Sequence, residues 1–179
     1  MKRKIIVFGC VSLLSTYLLN AEFIGAQTAN VFTGKPPSLV RASIPHNSTN
    51  WRLPWYYFTL NLPADSRESL SQVTISPGRN FEEIVFRLED TIAFQGELNN
   101  RGKAISIQQV TQDKTNQSIT IIFESPIAPD TLFTVALRAR SNPRTAGTYL
   151  FRIHAFPTGN NPIGMDLGVA RFTFYSSFW

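Results

Sequence analysis

The chain has 179 residues, of which 43% are hydrophobic and 16% charged, with a formal net charge of +5. That length suits one domain rather than two, and the charged share lies below the usual quarter, which excludes disorder driven by self-repulsion. The only cysteine, Cys10, sits in the first apolar run, so a disulfide framework, a thiol nucleophile and cysteine-ligated zinc are excluded from the rest of the chain.

Residues 1–26 read as a secretory signal peptide. Lys2, Arg3 and Lys4 form a basic start, Ile5 to Leu19 an apolar run, and Ile24-Gly25-Ala26 a small-residue end. An apolar run of about 15 residues falls short of the roughly 20 that span a bilayer as a helix. The mature chain is therefore expected to carry no transmembrane segment and to be exported, to the periplasm, the outer envelope or the exterior. Cleavage after Ala26 leaves 14 basic and 11 acidic residues. The last 49 residues hold Arg138, Arg140, Arg144, Arg152 and Arg171 against Asp166 alone. Residues 27–37 form a loose lead-in ending at Pro36-Pro37, and 38–179 the folded domain.

In chain order the candidate strands are Leu39–Ile44, Tyr56–Leu62, Gln72–Ser76, Glu83–Glu89, Ala104–Val110, Gln117–Glu124, Leu132–Arg138, Thr148–Phe156 and Val169–Tyr175. Apolar and polar residues alternate in several of them. Tyr56, Phe58, Leu60 and Leu62 share one face, with Tyr57, Thr59 and Asn61 on a wetter one; Phe133, Val135 and Leu137 repeat the pattern. The separators are Pro63-Ala64-Asp65, Ser76-Pro77-Gly78, a hairpin-like loop at Asn99–Gly102, Asp113–Asn116, Asn142-Pro143 and a long turn-rich stretch from Pro157 to Gly168. Ala64–Leu70 could form one helical turn. About nine short strands between turn signals predict an all-β domain, a single antiparallel β-sandwich of the immunoglobulin-like kind.

No pattern points to catalysis. There is no Gly-x-Ser-x-Gly elbow, no Ser-x-x-Lys, no phosphate-binding glycine loop, and the adjacent pairs Glu82-Glu83 and Glu89-Asp90 diverge on a strand. The chain is expected not to be an enzyme and to need no cofactor. His46 and His154 are the only histidines, and their spacing predicts no metal site. The candidate binding residues come from the last two strands. With Tyr149, Phe151 and Ile153 inward, Arg152 and His154 face out; with Ala170, Phe172 and Phe174 inward, Arg171 and Tyr175 do. Pairing those strands gathers Arg152, His154, Arg171 and Tyr175 on one exposed face, where arginine forks suit carboxylates, sulfates and phosphates. An anionic polysaccharide or another envelope protein is the partner class; nucleic acid is excluded for want of a dense basic stripe. Trp51 and Trp55, flanking Pro54, are expected to fold over the end of the sandwich as a lid.

The stretch SPIAPDTLFTVALRARSNPRTAGTYLFRIHAFPTG, followed by LGVARFTFY, resembles the domain of unknown function 2808 family, small exported proteins found mainly in cyanobacteria. The matching positions are Pro126, Pro129, Asn142-Pro143, Gly147, Tyr149, Phe151, Ala155-Phe156-Pro157, Gly159, Gly168, Arg171 and Tyr175, with Pro129-Asp130 departing from an expected Pro-Gly. The resemblance implies an exported β protein and assigns no activity. The resulting expectation is a noncatalytic envelope or cell-surface module. A small outer-membrane β-barrel and a periplasmic copper-binding sandwich using His46 and His154 are the rival readings. N-terminal sequencing of exported protein should begin at Gln27, within a few residues; a retained Met1 would overturn the leader assignment.

Overall fold

The computed structural model describes residues 29–176. The leader, Gln27 and Thr28 of the lead-in, and the terminal Ser177–Trp179 lie outside the described residues. Ten strands form: β1 (Ser38–Ser43), β2 (Trp55–Leu62), β3 (Leu70–Pro77), β4 (Phe86–Glu97), β5 (Asn100–Ile105), β6 (Ile107–Gln112), β7 (Ile119–Ile127), β8 (Thr131–Ala139), β9 (Gly147–Pro157) and β10 (Met165–Phe174). They make two antiparallel five-stranded sheets, ordered β1-β2-β8-β4-β5 and β10-β9-β3-β7-β6. In immunoglobulin terms, β1, β2, β8 and β4 take the A, B, E and D positions, and β3, β9 and β10 the C, F and G positions. Each sheet keeps two free edges around a filled interior, the geometry of a sandwich and not of a closed barrel.

The alternation in the sequence places the core. Tyr149, Phe151, Ile153 and Ala155 of β9 and Ala170, Phe172 and Phe174 of β10 are buried, as their period requires. They meet Tyr56, Phe58, Leu60 and Leu62 of β2 and Phe133, Val135 and Leu137 of β8 in one continuous cluster. Tyr149, the third residue of the F-position strand, places its hydroxyl 3.1 Å from Thr145 O and 3.2 Å from Glu82 Oε1. This is the tyrosine corner of immunoglobulin-like folds. Two residues on, where antibody domains carry the inter-sheet cysteine, stands Phe151. It meets Phe58 of β2 edge to face at 6.1 Å and Phe172 of β10 at 5.8 Å. Such ring pairs contribute about 0.5–1.5 kcal/mol beyond the area they bury.

Several elements differ from the sequence expectation. The wet face of β2 is not wet, since Tyr57 and Thr59 are buried. The β4–β5 hairpin bends over the first sheet, so that Leu98 and the Arg101 guanidinium cover Tyr57 and Phe94. Gly96 permits the bend with φ +82°, where an added Cβ would lie 2.2 Å from Asn100 O. Thr134 closes it by donating to Gly96 O at 2.7 Å. The strand expected over Glu83–Glu89 starts at Phe86 and runs on to Glu97. Its register shifts between Arg87 and Ile92, and in the shifted stretch Asp90 lies 3.2 Å from Arg87 Nε and 3.7 Å from Arg138. A bulge lets a charged residue interrupt the alternation without ending the strand.

The strand expected over Ala104–Val110 is two. β5 belongs to the first sheet, β6 to the second, and Ser106 turns the corner between them. The expected Asn99–Gly102 loop shrinks to a turn at Leu98–Asn99. Ala64–Leu70 forms a turn and an isolated bridge rather than a helical turn. The lead-in is not loose over its described part, because Asn30 and Gly34 bridge to Pro162 and Ser66 and Phe32 is buried.

Replacing Phe151 with Ala should lower the unfolding free energy by about 3–5 kcal/mol in a urea titration. Arg171→Ala, on the outer surface, should stay within about 0.5 kcal/mol.

Candidate functional site

The register of β9 and β10 decides which of the four candidate residues meet. Arg152 stands opposite Val169, His154 opposite Asp166, and Arg171 opposite Leu150, all on the outer face of the second sheet. Arg171 is thus one strand and one rung from Arg152, and three of the four candidates share a face. Tyr175 does not join them. It lies past the end of β10, exposed, with its backbone bound to residues 47–49 through Tyr175 N to Asn47 O at 3.0 Å and Thr49 N to Tyr175 O at 2.9 Å.

The sequence reading missed Asp166 as the partner on this face. An extra residue between Asp166 and Gly168 breaks the register, and Gly168 takes φ +102°. Gly168 N–H donates to Asp166 Oδ1 at 2.8 Å, and Arg152 donates to Asp166 Oδ2. The Gly168 N–H first, and then Arg152, hold the Asp166 carboxyl below its usual range. The detectable signal was a glycine interrupting the alternation of β10.

Beyond the charged edge the face turns neutral. One row runs across five strands as Asp166, His154, Thr74, Thr120 and Thr111. At ~4.8 Å between strands it spans roughly 19 Å. The row toward β3's end holds Arg152 and Ser76, with Ser118 donating to Ser76 Oγ at 2.8 Å. Arg171 makes no ion pair among the described residues. Arg152 is oriented by Asp166 and its fork retains further donors. Hydroxyl rows beside the oriented Arg152 guanidinium and the unpaired Arg171 can hydrogen-bond an extended, hydroxylated, anionic chain.

At the end of the sandwich where β3 passes to β4 and β6 to β7 lies a cleft of about 310 Å³. Ile75, Ile84, Phe86, Ile119 and Phe151 form its floor, and Glu82, Glu83, Asn80 and Asn116 are among the polar groups that line it. Its lining residues include no His, Cys, Lys or Ser; the titratable groups in it are the Glu82 and Glu83 carboxylates. Glu82 is engaged structurally. Thr145 N–H donates to it at 2.7 Å, and this bond, followed by that of Tyr149, keeps its carboxyl below the ordinary range. Burial, then the Glu82 charge, pushes the Tyr149 hydroxyl up to about 12.

His46 and Trp51 stack in the β1–β2 loop, with ring centroids 4.3 Å apart. His154 lies well down β9, opposite Asp166 and beside Thr74. The two histidines are therefore not brought together, and no group of three His, Cys, Asp or Glu among the described residues could hold a metal ion. Nor do the tryptophans form a lid. Trp51 is exposed, and Trp55 lies half-buried on the outside of the first sheet under the Arg138 guanidinium.

A sequence profile described as "Protein of unknown function (DUF2808)" matches residues 30–174. The chain belongs to this family. No curated protein matches this DUF2808 chain. Among solved structures it is similar to BslA, a bacterial hydrophobin, at 18% identity over 82% of this chain and 99% of that one, with a TM-score of 0.48. It is also similar to the collagen adhesin CNA from S. aureus, at 9% identity over 75% of this chain and 48% of that one, TM-score 0.44. An uncharacterized Nocardia farcinica protein with an immunoglobulin-like fold gives 10% identity over 75% and 96%, TM-score 0.45. All three scores fall below 0.5, so any reading of this DUF2808 chain's function rests on its own residues.

Because Glu82 has a folded pKa below its unfolded value of about 4.3, its contribution is present above that pH and is lost as pH falls through the folded pKa. Glu82→Gln should therefore lower the thermal midpoint at pH 7, and the gap to the parent should close as the pH is taken below about 4. Calorimetry across pH 2–7 checks this; a gap that is constant with pH would contradict it.

Proposed function

We propose that this chain is an exported, noncatalytic module of the cell envelope that binds an acidic polysaccharide through the outer face of its second sheet. The observation that carries the reading is the shared face of Arg152, His154 and Arg171 at the edge of the row formed by Thr74, Thr120 and Thr111. The guanidinium groups supply charge-assisted donors for carboxylate or sulfate, and the hydroxyl rows supply neutral partners at strand spacing. Residues 1–26 have the composition of an export leader. In the cleft beside Phe151 the Glu82 carboxylate is held by Thr145 N–H and the Tyr149 hydroxyl, which favours a binding role over a catalytic one. Tyr175, set apart at the strand end, has no place in this surface.

The test uses mature protein and alginate, a uronate polysaccharide, with uncharged dextran as control. Alginate should bind and dextran should not, and the binding should weaken with salt. Arg152→Glu with Arg171→Glu should weaken it about tenfold or more, since each reversed rim charge costs attraction and adds repulsion. Undiminished binding by the folded double variant would remove this face from consideration.

A further inference from the structure

One end of the sandwich gathers exposed apolar side chains that the core does not use. The connections meeting there are residues 44–54, 78–85, 113–118 and 140–146, together with the exit of β10 at Tyr175. Ten large hydrophobic side chains are exposed among the described residues, and five of them belong to this end: Trp51 at 45%, Leu53 at 38%, Phe81 at 73%, Val85 at 45% and Tyr175 at 61%. Scattered singly over a surface such residues need no explanation, but gathered at one end they mark a contact.

Backbone bonds join three of these connections, 44–54, 78–85 and 140–146, into one plate. Leu53 N–H donates to Arg140 O at 3.1 Å, Arg140 N–H to Val85 O at 2.9 Å, and Asn142 N–H to Trp51 O at 2.8 Å. The buried Asn142 side chain donates to His46 O at 2.8 Å and Ser48 O at 2.7 Å, and accepts from Tyr56 at 3.0 Å. The plate holds Leu53 at φ 54°. A leucine is rarely found in that left-handed region, and such outliers persist only where the surrounding structure fixes them. Here the strained residue is one whose side chain is exposed rather than packed.

The end is also rich in arginine. Arg52, Arg140 and Arg144 are exposed among the apolar residues and make no ion pair among the described residues. Of the acidic residues of this end, Glu82 and Glu83 line the cleft and Asp113 sits in the β6–β7 connection; Glu82 accepts from Thr145 N–H and lies near Arg144. Aromatic and aliphatic groups interspersed with unpaired arginines match the boundary of an anionic bilayer, where rings sit among headgroups and guanidinium groups meet lipid phosphates.

We infer that this end docks onto an anionic phospholipid surface, with Trp51, Leu53 and Val85 entering the headgroup layer and Arg52, Arg140 and Arg144 contacting lipid phosphates. This surface is separate from the Arg152–Arg171 face, so one module could hold a membrane and a polysaccharide at once. Docking needs no spanning segment: the plate lies on the membrane and does not cross it.

Flotation of mature protein with phosphatidylglycerol vesicles tests the assignment, with phosphatidylcholine vesicles as control. Binding to phosphatidylglycerol should be at least about tenfold tighter and should fall with salt. Two variants separate the contributions. Trp51→Ser with Leu53→Asn removes the apolar contact while Asn tolerates the positive φ. Arg52→Gln with Arg140→Gln and Arg144→Gln removes the charge. Each should reduce vesicle binding about tenfold or more with the thermal midpoint retained, whereas Arg152→Gln with Arg171→Gln should leave it unchanged. Absence of binding, equal binding to both lipids, or undiminished binding by either folded variant would overturn the proposal. So would self-association abolished by the Trp51 and Leu53 changes without any vesicle binding, which would assign the plate to a second copy of the chain.

Discussion

The fold depends on aromatic contact between two sheets that no covalent bond joins. Outside residues 1–26 the chain has no cysteine, and the position where an antibody domain bridges its sheets is occupied by Phe151 against Phe58, with Phe172 and Tyr56 completing the group. Ring pairs are weaker individually than a disulfide, and their strength comes from being many and closely packed. This constraint explains the placement of other parts. Tyr149 must fix the start of β9 two residues before Phe151, and Glu82 and Thr145 O must lie where its hydroxyl points. The corner between β8 and β9 and the connection between β3 and β4 are thus set by the same ring that begins the core.

The two outer faces of the sandwich have different fates. The first sheet is covered by its own β4–β5 hairpin, which buries Tyr57, Phe94 and Ala136 as a second small core. Among the described residues the second sheet has no such cover, and its hydroxyl rows and arginines are accessible. That asymmetry leaves one face open for the proposed contact, and it arises from a local cause, the glycine at position 96 and the turn that it allows.

Much of this was legible in the sequence wherever one face of a strand is buried and the other is not. The inward residues of β9 and β10, and the outward placement of Arg152, His154 and Arg171, follow directly from period two. Legibility failed where a strand is buried on both faces, as at Tyr57 and Thr59, because cover supplied by a distant hairpin leaves no mark on local alternation. It failed again at bulges. Period two makes Asp90 half of a pair diverging on a strand and leaves Asp166 the one acid among five arginines, yet each sits beside a register shift that aims it at an arginine. The end plate was unreadable for a third reason, since Trp51, Val85 and Arg140 are joined by backbone bonds between segments far apart in the chain. Tyr175 was placed with the arginines by parity alone, and parity does not say where a strand stops.

Asn142 draws two stretches onto a single amide: the β1–β2 loop, through the carbonyls of His46 and Ser48, and β2, through the hydroxyl of Tyr56. Antibody loops vary in length independently because each is anchored only at its own stem. Here backbone bonds also tie the connections around positions 51, 85 and 140 to one another, so an inserted residue in any of them would unfasten its neighbours. Diversification at that end must proceed by exchanging side chains on a fixed frame, not by lengthening the frame.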